Sequence, residues 1–136
     1  MSYGVSAALQ AAVYQHLLAD AAVAGLVGTA VYDALPAGTL PSTYVSLGPE
    51  VVRDRSDKTG AGAEHEVTVS VVTDAAGDQG AKAVAGAVSD ALVDADLVLS
   101  RGSLVGLWFV KAVARSDGTS GLRRIDLKFR ARVDDN

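Results

Sequence analysis

Leu122-Arg123-Arg124-Ile125-Asp126-Leu127-Lys128-Phe129-Arg130-Ala131-Arg132-Val133 is the stretch that decides the fold. From Ile125 every second residue is apolar, and Arg124, Asp126, Lys128, Arg130 and Arg132 stand between them. Side chains of a strand alternate between its two faces, so this segment reads as a strand with one apolar and one charged face. Four basic groups and one acid cannot be buried without partners or water. The sheet containing this strand is therefore expected to be covered on one side and open on the other, and the open side carries the functional question.

Working backwards, Asp117-Gly118-Thr119-Ser120-Gly121 reads as a hairpin turn that joins this strand to a long one, Leu104 to Ser116, containing the only Trp, Trp108. Leu97-Val98-Leu99 is a candidate short strand. The clearest central strand is His65 to Thr73, with Val67, Val69 and Val71 on one side. Thr43 to Gly48 is another, extended by Val51 and Val52, with Pro49 marking a bend or an edge. Val31 to Leu35 is a brief strand stopped by Pro36. Val5, Ala8, Leu9, Ala12, Val13, His16 and Leu17 form a helical stripe, and Asp20 is the N-cap of a second short turn, Ala21 to Leu26, closed by Gly28. A helix from about Gln79 to Asp94 has Asp78 as its N-cap and buries Ala81, Val84, Ala85, Val88, Ala91 and Leu92, with Gly86 suggesting close packing. The expected architecture is α+β: a mixed, largely antiparallel sheet of four to five strands with two main helices on one face.

The 136 residues are most simply one domain, residues 1–136, with a core drawn from a 49% hydrophobic composition that is only 5% aromatic. Arg53-Asp54-Arg55-Ser56-Asp57-Lys58, followed by Gly60 and Gly62, has mixed charge and no apolar face, so 53–64 reads as a flexible hairpin arm. With 0 Cys there is no disulfide framework, thiolate chemistry or Cys-based zinc site. A net charge of -4 argues against general attraction to nucleic acid. No apolar run approaches the roughly twenty residues of a membrane span, and Met1-Ser2-Tyr3-Gly4 does not open a secretory signal. The expectation is a soluble protein made in a cytoplasm.

A search for chemistry finds little. The two histidines, His16 and His65, have no second ligand at metal-binding spacing; His16 reads as a core-edge residue and His65, between Glu64 and Glu66, as a surface or interface residue. There is no serine elbow, no phosphate-binding lysine motif, and Gly60-Ala61-Gly62 is an incomplete dinucleotide fingerprint. Asp74 with Asp78, and Asp94 with Asp96, read as caps and turns. An enzymatic or ligand-binding domain using Asp74, Asp78 and His65 at one sheet end remains an alternative. No catalytic residue, metal or cofactor is assigned. The charged strand face admits three readings: contact with a second subunit, a solvated face paired across strands with Glu64 or Glu66, or nucleic acid, for which interleaved aromatic residues are lacking.

Taken in order, the segments resemble a known family. An Ala-rich helix is followed by Asp20-x-x-Val23-x-x-Leu26-Val27-Gly28, then Val31-Tyr32-Asp33-x-x-Pro36 and Tyr44-Val45-x-Leu47-Gly48. Next come Asp54-x-Ser56-x-Lys58-Thr59, Glu64-His65-x-Val67-Thr68-Val69-x-Val71, Ala91-Leu92, Asp117-Gly118 and Leu127-x-Phe129-Arg130-Ala131. The chain resembles the tail terminator, or tail completion, proteins of long-tailed phages, prophages and gene transfer agents. That resemblance implies a structural virion protein without catalytic residues. It would form a hexameric ring at the head-proximal end of the tail tube, stop tube polymerisation and offer a docking surface to the head connector. The implied partners are further copies of itself, the tail tube protein, the connector or stopper, and DNA passing through the lumen without sequence-specific binding. A stopper or other connector subunit of the same particle is the alternative. Under this reading the candidate interface residues are Arg124, Lys128, Arg130 and Arg132 on the strand, and Arg53, Asp54, Arg55 and Lys58 on the arm.

Overall fold

The structure is a computed structural model and describes residues 3–58 and 60–136, so Met1, Ser2 and Thr59 of the expected N-terminus and arm lie outside the described residues. Its elements are α1 (Ser6–Ala19), α2 (Ala21–Val27), β1 (Val31–Tyr32), β2 (Thr43–Asp54), β3 (Gly62–Thr73), α3 (Gln79–Leu92), β4 (Ser103–Ser116) and β5 (Arg123–Asp134). One mixed sheet has the order β1-β2-β3-β5-β4; β1 runs parallel to β2 and all other pairs are antiparallel. The fold is the expected α+β arrangement.

Local chemistry explains most boundaries. The Asp20 backbone turns extended and stops α1, while its carboxylate accepts the Val23 N–H at 3.0 Å and starts α2. Gly28, at φ +61°, closes α2 in a conformation that a side chain disfavours. In the β4–β5 turn, Asp117 accepts the Thr119 hydroxyl at 2.7 Å and its N–H at 3.0 Å, and Gly121 takes the positive φ of 73°. These bonds from Thr119, with further help from Ser120, hold the exposed Asp117 carboxyl down at about 2. Pro49 sits in a β-bulge between Leu47 and Glu50, so its missing N–H breaks no regular ladder bond.

The core lies between the helices and one sheet face. Leu9, Leu17, Val88 and Leu92 from the helices meet Val69, Val71, Leu127, Phe129 and Val133 from the strands, nearly all without exposed surface. Each such side chain contributes about 1.5–3 kcal/mol through burial. On β5 the inward residues Ile125, Leu127, Phe129, Ala131 and Val133 are all buried, as their alternation requires.

Several expectations are corrected. β1 stops at Tyr32 instead of reaching Leu35, and residues 97–99 form no strand. Asp78 occupies the residue before α3 but does not cap it; its carboxylate instead accepts a hydrogen bond from Arg123 Nη1 at 2.8 Å. Gly86 is not closely packed, since among the described residues nothing lies within 4 Å of where its Cβ would stand. β2 and β3 pair as far as Arg53 with Glu64 and Asp54 with Ala63, so of the described residues of the 53–64 arm only 55–58 and 60–61 leave the ladder.

Candidate interaction surface

The face of the sheet away from the helices is open, and strand register fixes its side chains in rows. Arg53, Glu64, Arg132 and Gly106 form one row across β2, β3, β5 and β4. Val51, Glu66, Arg130 and Trp108 form the next; Thr68, Lys128 and Lys111 follow across β3, β5 and β4. Beyond them lie Ser46, Ser70, Asp126 and Val113, then Tyr44, Val72, Arg124 and Arg115. Seven basic residues (Arg53, Lys111, Arg115, Arg124, Lys128, Arg130, Arg132) thus share this face with four acids: Glu64, Glu66, Asp126 and, in a row with Gly62 and Ser103, Asp134. The chain as a whole has 12 basic and 16 acidic residues, so five basic and twelve acidic residues remain elsewhere. The molecule is electrically polarised: a basic open sheet against an acidic remainder.

The structure gives most of the predicted residues partners within the chain. Lys128 Nζ lies 3.2 Å from Glu66, Arg130 Nε 3.4 Å from Glu64, and Arg124 Nε 2.8 Å from Asp126. Arg124 also donates to the Ser70 hydroxyl at 3.2 Å, which itself donates to Asp126 at 2.6 Å. Arg115 reaches the other Asp126 oxygen at 3.1 Å. Partial burial raises the Asp126 pKa, but the hydrogen bonds from Ser70 and Arg124 and the charges of Arg124 and Arg115 outweigh it and hold the carboxyl below its usual range. Arg132 Nη2 donates to the Arg55 carbonyl at 3.2 Å, while its buried Nε has no partner among the described residues.

On the arm, Arg55 pairs with Glu64 at 3.4 Å, and Asp54 accepts the Ser56 hydroxyl and N–H at 2.6 Å and 3.0 Å, which lowers its pKa. Arg53 and Lys58 are exposed. The arm and the basic strand face are therefore one continuous surface, joined by Arg132 to Arg55 and by Arg55 and Arg130 to Glu64.

His65 is a correction. It is fully buried, with Nδ1 3.2 Å from Glu50 Oε2 and Nε2 without a partner among the described residues. The reason is register: His65 pairs with Ala131 and so belongs to the helix-facing side of β3, while the neighbours Glu64 and Glu66 point outward. Glu50 was not singled out from sequence, yet it also accepts the hydroxyls of Ser6 at 2.6 Å and Tyr3 at 2.8 Å, fastening the start of α1 to the sheet. Partial burial raises its pKa, but these hydrogen bonds and the His65 contact prevail and lower it. Asp74 and Asp78 lie beyond the far end of β3, about 26 Å along the strand from His65 at ~3.3 Å per residue. The alternative constellation of Asp74, Asp78 and His65 does not converge: Asp74 accepts the Ser42 hydroxyl and Asp78 pairs with Arg123. His16, as expected of a core-edge residue, is half-buried and bonds the Ala91 carbonyl at 2.8 Å. Among the described residues no three His, Cys, Asp or Glu side chains form a metal cluster, and no helix is long and apolar enough to cross a membrane.

Sequence reasoning also missed the sheet edge. Among the described residues β4 has β5 on one side and no strand on the other, yet Val105, Trp108, Phe109, Val110 and Val113 are all between 37% and 59% exposed. On the helix side, Phe109, Ala112 and Ala114 line an apolar groove with Ala85 and Gly86 of α3. The available signal was the near-continuous apolar run from Leu104 to Ala114, broken only by Gly106 and Lys111. Such a run belongs to a strand covered on both faces.

A family model described as Tail completion protein gp17 matches residues 11–134. Among solved structures, a chain from the virion of a native gene transfer agent particle is 69% identical, with a TM-score of 0.93. The match covers 98% of this chain and 99% of that one. No curated protein sequence matches.

Proposed function

Because the chain belongs to the tail completion protein gp17 family, we propose that it is a tail terminator, a structural protein of a phage-like virion that acts by binding and not by bond-making chemistry. It assembles into a ring, hexameric by the family resemblance, that caps the head-proximal end of the tail tube, stops tube growth and receives the head connector. The observation that carries this reading is the end-to-end, 69% identical match to a chain of a gene transfer agent virion. The polarised charge distribution supports it. A closed ring needs two different, complementary patches on each subunit, and a basic open sheet on an otherwise acidic molecule supplies them.

Under this proposal the continuous surface of Arg124, Lys128, Arg130 and Arg132 with Arg53, Asp54, Arg55 and Lys58 meets an acidic surface on a neighbouring subunit or on the tube end. Its internal ion pairs hold the long side chains in place, so binding fixes register and partner choice more than raw affinity. DNA crosses the lumen without base-specific contact. The protein is made in the host cytoplasm and resides in the tail.

The test is electron microscopy of particles produced without this protein. Overlong tails detached from heads are expected. Tails of normal length that fail to join heads would instead make the protein a stopper, and normal joined particles would remove it from tail completion.

A further inference from the structure

We propose that the outer edge of β4 is the docking strand for a second copy of this chain, which packs the opposite edge of its own sheet, β1 and its flanking residues, against it. The inference rests on the ring reading above and specifies which surfaces close the ring.

The first support is the mismatch between what β4 is made of and where it lies. A strand apolar on both faces is suited to the middle of a layered structure, whereas an exposed edge strand is normally short, charged or covered. β4 spans Ser103–Ser116, and Trp108, Phe109, Val110 and Val113 are all more than one-third exposed. Trp108 is held in place over Gly106, whose Cβ would come within 2.4 Å of the indole, so the exposed ring has a defined seat. A patch of this kind on an otherwise charged sheet marks a contact surface.

Charge identifies the occupant. On the open face Lys111 of β4 stands directly opposite Lys128 of β5; Lys128 is paired with Glu66, whereas Lys111 has no ion-pair partner among the described residues, a like-charge contact that an acidic neighbour relieves. The other end of the sheet has the complementary composition. No Lys or Arg occurs before Arg53, so β1 and everything preceding it is free of these cations. Flanking β1 in the chain are Asp33, one residue past the strand, and two exposed leucines, Leu26 of α2 at 51% and Leu35 at 52%. One edge is therefore apolar and basic, the other apolar and acidic. The sheet order β1-β2-β3-β5-β4 puts them at opposite ends of one layer. Joining unlike edges is a head-to-tail contact that every subunit can repeat, which is the requirement for a ring.

Bulges at Val105 and Val110 break the regular spacing of the β4 edge. They disfavour a continuous hydrogen-bonded ladder between copies, so the contact is made by side chains.

The absence of native cysteine makes cross-linking a clean test. A chain carrying both Val110→Cys and Leu35→Cys is incorporated into particles and oxidised, with Val113→Cys and Leu26→Cys as a second pair. Head-to-tail docking predicts a ladder of disulfide-linked oligomers for the double variants and monomers for each single variant. Dimers from Val110→Cys alone would place two β4 edges face to face and overturn the proposal. So would the lack of any cross-link in particles whose tails have normal length, an outcome that leaves the ring reading intact. That reading fails separately, if particles without the protein are normal. As a second measurement, Val110→Asp is expected to lower incorporation at least tenfold without moving the urea midpoint; undiminished incorporation would overturn the proposal.

Discussion

β5 and β4 are hydrogen-bonded neighbours of similar length, yet they solve opposite problems. β5 alternates strictly, its apolar residues sink into the core, and Arg124, Asp126, Lys128 and Arg130 each have an ionic partner within the chain. β4 alternates poorly, leaves large apolar side chains in solvent, and sets Lys111 against Lys128. The comparison separates two kinds of information in a strand sequence. β5 describes a requirement that the folded monomer meets by itself; β4 describes one that the monomer leaves unmet. An unmet requirement on a stable scaffold is where a partner is to be sought.

The sharpest way to break this comparison is to truncate one large aromatic on each strand. Phe129 and Phe109 are themselves in edge-to-face contact, 5.9 Å between ring centres, but Phe129 is fully buried while Trp108, the residue before Phe109 on β4 and opposite Arg130, is 44% exposed. Phe129→Ala is expected to cost about 3–5 kcal/mol of stability in urea unfolding, through lost burial and the cavity left behind. Trp108→Ser should cost under about 1 kcal/mol, as for a surface position, while abolishing entry into particles. Equal losses of stability would mean that Trp108 serves the monomer and would erase the distinction.

A smaller effect tests how firmly the scaffold beneath both strands is fastened. Glu50 has a lowered pKa in the folded protein, so its ionised form is favoured by folding. Its contribution is fully present above the unfolded value near 4.5 and is lost as pH falls through the folded value. Glu50→Gln should remove about 1.5–3 kcal/mol at neutral pH, the scale of hydrogen bonds to a charged acceptor, and should flatten the decline of the thermal midpoint between pH 5 and 3. An unchanged acid profile would show that Glu50 is not the latch between α1 and the sheet.

What could be read from sequence follows the same division. The alternation of Ile125 through Val133 announced a one-sided sheet, and the stripes from Val5 to Leu17 and Ala81 to Leu92 announced the helices that cover it, because burial imposes a period on residues close in the chain. Strand order was not readable: nothing local to Leu104–Ser116 says that β4 lies outside β5. Without the order, the apolar run read only as a long strand and the exposed edge went unseen. His65 was misplaced for a related reason. Its flanking glutamates suggested surface, whereas the period-two rule applied from Val67 backwards puts it inside, where Glu50, fifteen residues earlier, meets it across the bulge. Gly86 suggested contact and instead opens into the groove beside β4. The basic face was legible as a set of residues, and pairing with Glu64 or Glu66 was one of its readings, but which cation meets which carboxylate required the register.

The smallest expected effect sharpens what that pairing does. Lys128 and Glu66 are 3.2 Å apart with about one-third of each side chain exposed. A partly solvated pair of this kind contributes about 0.2–1 kcal/mol, and salt weakens it. A double-mutant cycle with Lys128→Ala and Glu66→Ala, read by urea unfolding, should therefore give a coupling below about 1 kcal/mol that shrinks further in 0.5 M salt. If the pair exists to hold a docking surface in register, the same two changes should disturb assembly far more than folding, and Glu66→Ala, which frees a cation, should differ in direction from Lys128→Ala. A large, salt-insensitive coupling in the isolated protein would instead make the ion pairs of β5 part of the fold's own support, and would leave β4 alone as the strand that waits for a neighbour.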